Sequence, residues 1–235
     1  MDTPLLNTLR ELSDKIIALF DKHLDRFDNE RHINEFEGWT DLFWQSDSIR
    51  KAHLKIIEPL PGKPKLWLIH INIFPSNLLH YPILGLDVVA GPNKISGSFF
   101  DFSPVSDETH PIITTFGLAT RDLVWKKERE LPDWALEIFS PYMVAAGNVR
   151  EGQETEQFCD VALKLINYYL EQIQHENFWA NGGDHLDWHN NYCINQKKNK
   201  QLWNSLRAMN LDEDKINQYV NDVLFEELKP FPVDQ

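Results

Sequence analysis

The order of elements along the chain predicts an α/β protein, a three-layer α/β/α sandwich whose middle layer is an antiparallel sheet. Three observations carry this expectation. Runs rich in β-branched and aromatic residues concentrate between about residues 36 and 102, separated by short Pro, Gly and Asn clusters. Helical apolar stripes lie before and after them. No linker, repeat or low-complexity tract divides the 235 residues, so a single domain over 1–235 is expected.

Thr3-Pro4 opens the first helix, because Thr caps and Pro loses no needed N–H at that position. Leu5, Leu9, Leu12, Ile16, Phe20, Leu24 and Phe27 follow at helical spacing. AHLKIIE, KLWLIHINIF, ILGLDVVAG and ISGSFFDF then read as strands. Their connections are too short for parallel crossovers, which predicts antiparallel pairing. Pro132 starts a short helix, and Glu154 to Phe178 reads as a long one with Phe158, Val161, Leu165, Tyr169 and Ile173 on one face. Asp184 to Met209 is expected to be helical in part, with a break at Asn190-Asn191, and Asp212 to Leu228 forms the last helix.

Composition excludes several classes of function. Net charge is −13, so no basic excess exists to release counterions from nucleic acid or to hold an anionic membrane. Two cysteines, Cys159 and Cys193, rule out a disulfide framework and an all-Cys iron–sulfur site. The N-terminus lacks a basic, apolar leader pattern and no run reaches the ~20 apolar residues of a membrane span, so a reducing cytoplasm is the expected compartment. GxGxxG, P-loop, CxxC, GxSxG and HExxH are all absent. No bound cofactor that moves electrons is therefore expected.

Four groups of residues carry candidate chemistry. His70 lies inside the apolar run KLWLIHINIF, and alternation places Leu68, His70 and Asn72 on one face. A polar strand face implies a polar neighbour; the alternative is a core histidine satisfied by backbone. Asp87 interrupts ILGLDVVAG, where Asp is unusual. Buried there, it would hold a proton at neutral pH and release it on demand; tied to an N–H or an Arg, it would be structural. His185, His189 and Cys193 fall on one helical face, a metal-ligating arrangement if the helix is continuous. Finally, basic residues cluster locally as Arg50, Lys51, Lys55, Lys63 and Lys65, as Lys126, Lys127 and Arg129, and as Lys197, Lys198 and Lys200. They form either solvated faces or a rim that steers an acidic partner.

Seven segments occur in the order found in the ferredoxin-dependent bilin reductases: IRKAHL (49–54), LIHINIFPSN (68–77), YPILGLDVVAGPNKIS (81–96), DFSP (101–104), ERELPDWALEIFS (128–140), NYCINQKKN (191–199) and YVNDVLFE (219–226). The chain resembles that family, and within it the phycocyanobilin:ferredoxin oxidoreductase subgroup, over roughly residues 49–228. The resemblance implies an antiparallel sheet between helices, biliverdin bound between the sheet and the C-terminal helices, and no resident metal or flavin. Electrons would come singly from an external, transiently docked, reduced [2Fe-2S] ferredoxin. By position, His70 and Asp87 match the proton-handling pair. Asn199 and Gln196 match polar groups over the pocket, and Ser96 and Arg129 match groups that anchor the propionates, with Lys200 beside them. Lys197, Lys198, Arg50 and Lys51 are expected to dock ferredoxin. A monomer is expected.

Two departures bear on the product. Phycocyanobilin-forming members carry a Glu two residues after the His of the RK-x-H segment, where this chain has Lys55 after His53. Lysine is no carboxylic proton donor for the outer vinyl group. Lys200 replaces an Asp of several members. The chain is similar to a phage and marine group of the subgroup, PcyX, that shares the first departure. The implied reaction is four-electron reduction of biliverdin IXα to phycoerythrobilin by way of 15,16-dihydrobiliverdin, in a cyanobacterial or phage-infected cell. Phycocyanobilin formation, a non-catalytic bilin carrier and a metal-dependent enzyme using His185, His189 and Cys193 remain the rival readings.

Overall fold

The computed structural model describes residues 3–29, 37–60, 66–107, 109–123, 128–150, 152–177, 183–209 and 211–229. The described strands form one eight-stranded antiparallel sheet. Seven of them, β1 (Asp25–Arg26), β2 (Trp39–Gln45), β3 (Ile49–Ile57), β4 (Trp67–Pro75), β5 (Ile83–Gly91), β6 (Lys94–Ser103) and β7 (Val144–Ala146), lie side by side in chain order. β8 (Val149–Arg150) pairs with β6.

One face of the sheet presents Ala52, Leu54, Ile69, Ile71, Ile73, Leu84, Leu86, Val88, Phe100 and Phe102. Three helices cover it: α1 (Pro4–His23), α2 (Pro111–Thr120) and α4 (Gln153–Ile173). The other face carries the second apolar cluster, built from Trp39, Phe43, Phe74 and Ile83 against helical residues. Its cover is α3 (Asp133–Leu136), α5 (Gly183–Gln196), α6 (Lys200–Ala208), α7 (Glu213–Gln218) and a final wide π-helical turn, Tyr219–Leu224. The three-layer α/β/α expectation holds. No described helix is long and apolar enough to cross a membrane.

Some element ends differ from expectation. Thr3 caps α1 by accepting the Leu6 N–H, as its side chain predicts, but the helix stops at His23 instead of running to Phe27. Asp25 and Arg26 pair with Gln45 and Trp44 instead, so a strand partner takes the backbone that another helical turn would have used. α4 ends at Ile173, short of Phe178. α5 runs through Asn190-Asn191 without a break. Asn190 spends its amide on a distant partner, donating to the Leu228 carbonyl (2.9 Å) and accepting from its N–H (2.8 Å). An asparagine so engaged does not compete for its own helix backbone.

β3 contains the irregularity that matters most for function. Its pairing with β4 skips a residue between Ile49 and Lys51, leaving Arg50 as the extra residue of a bulge. Beyond the bulge, Lys51, His53 and Lys55 all face the C-terminal helices.

Candidate functional site

Strand register assembles the site. Asp41, Lys55, His70, Asp87 and Phe99 are successive cross-strand partners on β2 through β6. Directly paired residues project to one side, so these five form a row across the face under the C-terminal helices. The next row on that face is Phe43, His53, Asn72, Gly85 and Asp101. Seven strand residues with ionisable or amide groups therefore share one surface.

At its centre His70 Nδ1 lies 2.6 Å from Asp87 Oδ1, and Asn72 Nδ2 lies 2.9 Å from His70 Nε2. The imidazole is largely covered, its side chain 11% exposed, whereas the Asp87 side chain is 42% exposed. The expectation of a buried Asp87 is thus corrected. The carboxyl opens to solvent while the covered His70 imidazole contacts it. Phe225 stands edge-on to the His70 ring at 6.2 Å, and His53 edge-on from the other side at 6.0 Å.

A second polar group sits beside this pair, deeper in the protein. Asp41 accepts from His53 Nε2 (2.7 Å), Tyr219 Oη (2.8 Å) and Trp39 Nε1 (2.7 Å). Burial pushes the Asp41 carboxyl up, but the hydrogen bond and charge of His53, with Lys55 and the Tyr219 hydroxyl, outweigh it and hold it below the usual carboxylate range. His53 is fully buried, stacks on Phe43 at 4.5 Å, and is pushed down to about 4 chiefly by burial. Its Nδ1 is buried without a hydrogen-bond partner among the described residues. Lys55 Nζ lies 4.7 Å from the Trp39 ring and 4.8 Å from that of Tyr219, and burial lowers it to about 8. Asp101, fully buried, is pushed up to about 6 by burial, against hydrogen bonds from Ser140 and Ser103 that favour its charge.

The other expected residues divide into those brought to this face and those that are not. Gln196 Nε2 donates to Tyr192 Oη at 2.9 Å, and that phenol reaches Asn72 Oδ1 at 3.5 Å, so Gln196 joins the His70 network. Arg129 lies over the Phe99 ring at 5.8 Å, donates to the Ser96 carbonyl at 2.8 Å, and makes no ion pair among the described residues. Ser96 is beside it, but its hydroxyl hydrogen is committed to the Val89 carbonyl (2.9 Å). Asn199 is the N-cap of α6, its Oδ1 accepting the Gln201 N–H at 3.1 Å. Lys200 follows it and is exposed.

The docking residues need a larger correction. Lys51 is only 3% exposed, donates to the Val223 carbonyl at 2.6 Å and lies 3.8 Å from Glu226. Burial lowers it to about 8. Arg50 is ion-paired with Glu226. The bulge turns both cations under the final helical turn, where the last carbonyls need donors, and Lys51 is withdrawn from any docking surface. Lys197, Lys198 and Lys200 instead line a surface cleft of about 440 Å³ with Trp203 and Arg207, although Lys197 is paired with Glu227 at 2.7 Å. Lys63, Lys65, Lys126 and Lys127 lie outside the described residues.

The metal reading fails on geometry. His189 Nε2 donates to the Glu226 carbonyl (3.0 Å) and His185 Nδ1 faces the Val105 carbonyl (3.3 Å). Cys193 is 3.5 Å from His189 but its thiol is pushed up to about 12 by burial. No grouping able to hold a metal ion occurs among the described residues.

The family profile described as ferredoxin-dependent bilin reductase matches residues 10–226. Phycocyanobilin:ferredoxin oxidoreductase of Prochlorococcus marinus (strain MIT 9313) is 33% identical over 187 residues, 77% of this chain and 68% of that protein. The enzyme of the same name from Gloeobacter violaceus (strain ATCC 29082 / PCC 7421) is 29% identical over 188 residues, 78% of this chain and 72% of that protein. Two solved structures share the fold. PcyX gives a TM-score of 0.69 at 24% identity, covering 94% of this chain and 99% of that one. Tomato phytochromobilin synthase in complex with biliverdin gives 0.69 at 12% identity, covering 92% and 81%.

Proposed function

This chain belongs to the ferredoxin-dependent bilin reductase family, oxidoreductases that draw electrons from ferredoxin, and we propose that it reduces biliverdin IXα by four electrons to phycoerythrobilin, through 15,16-dihydrobiliverdin. The observation that carries the reading is the Asp87–His70 pair, a solvent-open carboxyl held at 2.6 Å by a covered imidazole in the middle of the polar sheet face. Such a group can reach a flat ligand laid on that face and pass it a proton, with its partner fixed from behind.

The tetrapyrrole lies over the row with its propionates toward Arg129, whose planar guanidinium suits a carboxylate. Asp87 delivers a proton to the bilin and one reduced ferredoxin supplies an electron, giving a bilin radical. A second electron and proton complete saturation of C15=C16. The A-ring diene then takes a further pair of each, so four ferredoxins are oxidised per four protons consumed. Lys198 and Lys200, exposed beside the cleft with Trp203, supply positive charge for ferredoxin docking on an otherwise acidic protein.

Lys55 supports phycoerythrobilin as the end point. A cation clasped by two rings holds the place beside His70 where phycocyanobilin-forming members carry a carboxylic acid. The names of the cyanobacterial relatives favour a second reading, phycocyanobilin as product. Anaerobic turnover with reduced ferredoxin and chromatography of the pigments separates them. Phycoerythrobilin is expected; phycocyanobilin would establish the second reading. A single spectral shift on binding, with no reduced product, would mean a carrier.

A further inference from the structure

The His70–Asp87 pair needs a defined proton position, because a neutral imidazole can present either a donor or a lone pair to a carboxyl. The contacts around His70 supply one through a chain that begins on α5. Gln196 donates its amide N–H to the Tyr192 oxygen at 2.9 Å. Tyr192 is fully buried, and burial pushes its hydroxyl well above the ordinary tyrosine range, so it keeps its hydrogen. That hydrogen faces Asn72 Oδ1 at 3.5 Å. The carboxamide of Asn72 then turns its NH2 end to His70 Nε2 at 2.9 Å. An N–H aimed at Nε2 requires a lone pair there, which leaves the imidazole hydrogen on Nδ1, 2.6 Å from Asp87.

Gly85 makes the chain possible. It is the cross-strand partner of Asn72 on the same face, and a Cβ built on it would stand 3.1 Å from the Tyr192 oxygen and 3.6 Å from Asn72 Oδ1. A side chain there would crowd the phenol and push it away from the asparagine by a few tenths of an ångström. Phe74 and Phe139 flank the Tyr192 ring edge-on at 6.1 and 6.3 Å and hold its direction.

We propose that Tyr192 and Asn72 are positioning residues that fix the tautomer of His70, keeping the hydrogen on Nδ1 and aimed at Asp87. His70 then works as the orienting donor to Asp87, and a proton leaving Asp87 for the pigment is replaced from the solvent side, where the carboxyl is open. The role assigned to the pair rests on the bilin reductase reading, but the tautomer itself is a property of the ligand-free protein.

Nitrogen-15 NMR of protein labelled in its imidazoles, without bilin, tests this directly. The His70 signals are assigned by their loss in His70→Gln. In the wild type, Nδ1 is expected to carry the hydrogen and Nε2 to resonate as a bare ring nitrogen. Asn72→Asp replaces the donor by an acceptor and, with Asp87 still facing Nδ1, should place a second hydrogen on Nε2. Tyr192→Phe removes the long 3.5 Å hydrogen bond from the chain and should shift the tautomer ratio in the same sense by no more than about fivefold. Tyr192→Phe is the milder change, and its near-ultraviolet circular dichroism reports whether the fold is kept. Hydrogen on Nε2 in the wild type, or a bare Nε2 in folded Asn72→Asp, overturns the proposal. With biliverdin and ferredoxin, Asn72→Asp should lower kcat and displace its pH profile while leaving KM near its starting value. The expected tautomer together with no turnover in the wild type would sink the bilin reaction and leave the tautomer assignment standing.

Discussion

Leu86 and Asp87 are neighbours on β5 that serve opposite faces of one sheet. Leu86 is 1% exposed among the side chains packed under α1 and α4, a surface on which β3 to β6 place almost only apolar side chains, with the charge of Arg26 confined to the β1 edge beside Trp44. Asp87 stands on the face that also carries Asp41, Lys51, His53, Lys55, His70 and Asp101. Burial of ionisable groups works against folding, whereas burial of Leu, Ile and Phe supports it at roughly 25 cal/mol per Å². The division lets the apolar layer bear the stability and leaves the polar layer free to be arranged for chemistry.

If that division is right, neighbouring substitutions must have unlike consequences. Leu86→Ala should cost about 2–5 kcal/mol of unfolding free energy by cavity formation, measured by urea denaturation, with kcat of the folded enzyme nearly unchanged. Asp87→Asn should leave stability close to wild type and lower kcat by about 10²-fold or more, with biliverdin affinity, followed by spectral titration, little altered. A stable and fully active Asp87→Asn enzyme would erase the functional half of the contrast.

Acid should act through the polar face. His53 and His189 are held near 4 chiefly by burial, below the 6.5 of the unfolded chain. Between those values the unfolded state binds more protons, so stability falls as pH drops, at about 1.4 kcal/mol per pH unit for each histidine. Asp101, at about 6 against 3.8, has the opposite sign: the folded state holds the extra proton, which offsets one histidine over most of that window. His189→Gln should therefore lessen the fall of stability between pH 6.5 and 4 by about 1.4 kcal/mol per pH unit, while Leu86→Ala leaves the slope as it was.

Smaller effects are expected from the buried and exposed amines. Lys55→Met removes a desolvated charge and should keep or raise stability at pH 7 by about 1 kcal/mol. Because Lys51 and Lys55 are lowered to about 8, stability should rise from pH 8 to about 9, where Cys159 and Cys193, pushed up to about 12 by burial, begin to offset them, and Lys55→Met should remove about half of that rise. Charge reversal at Lys198 or Lys200 should slow ferredoxin-driven reduction only a few-fold, and mainly at low salt, where long-range attraction is unscreened. A rate indifferent to ionic strength would remove the α5–α6 turn from the docking surface.

The strands β3 to β6 and the shared face of His70 and Asn72 were legible because period-2 alternation is local and needs no partner. β2 was not singled out, although WTDLFWQ alternates, and with it went Asp41 and Phe43. The rows that join five strands depend on register, which no single strand states. Lys51 read as a surface cation because lysine usually is one, and because the bulge breaks alternation at the residue before it. Asp87 read as buried because its neighbours are apolar, whereas its exposure depends on what packs over the sheet face, which the strand sequence does not state. Tyr192 was not singled out, since nothing local marks one aromatic of a helix from another. Gly85, an unfilled position amid bulky strand residues, was the signal that something must enter there.

The surplus residue at Arg50 makes β3 a ruler with one mark printed twice. Measured from its start, the strand miscounts its sides; measured from its end, it does not, since Lys51 to Ile57 keep unbroken pairing with β4. Losing that residue would straighten the entry into the strand and release the clasp on Glu226, yet leave His53 and Lys55 opposite Asn72 and His70. Length variation at this spot is thereby absorbed before it reaches the row where protons are exchanged.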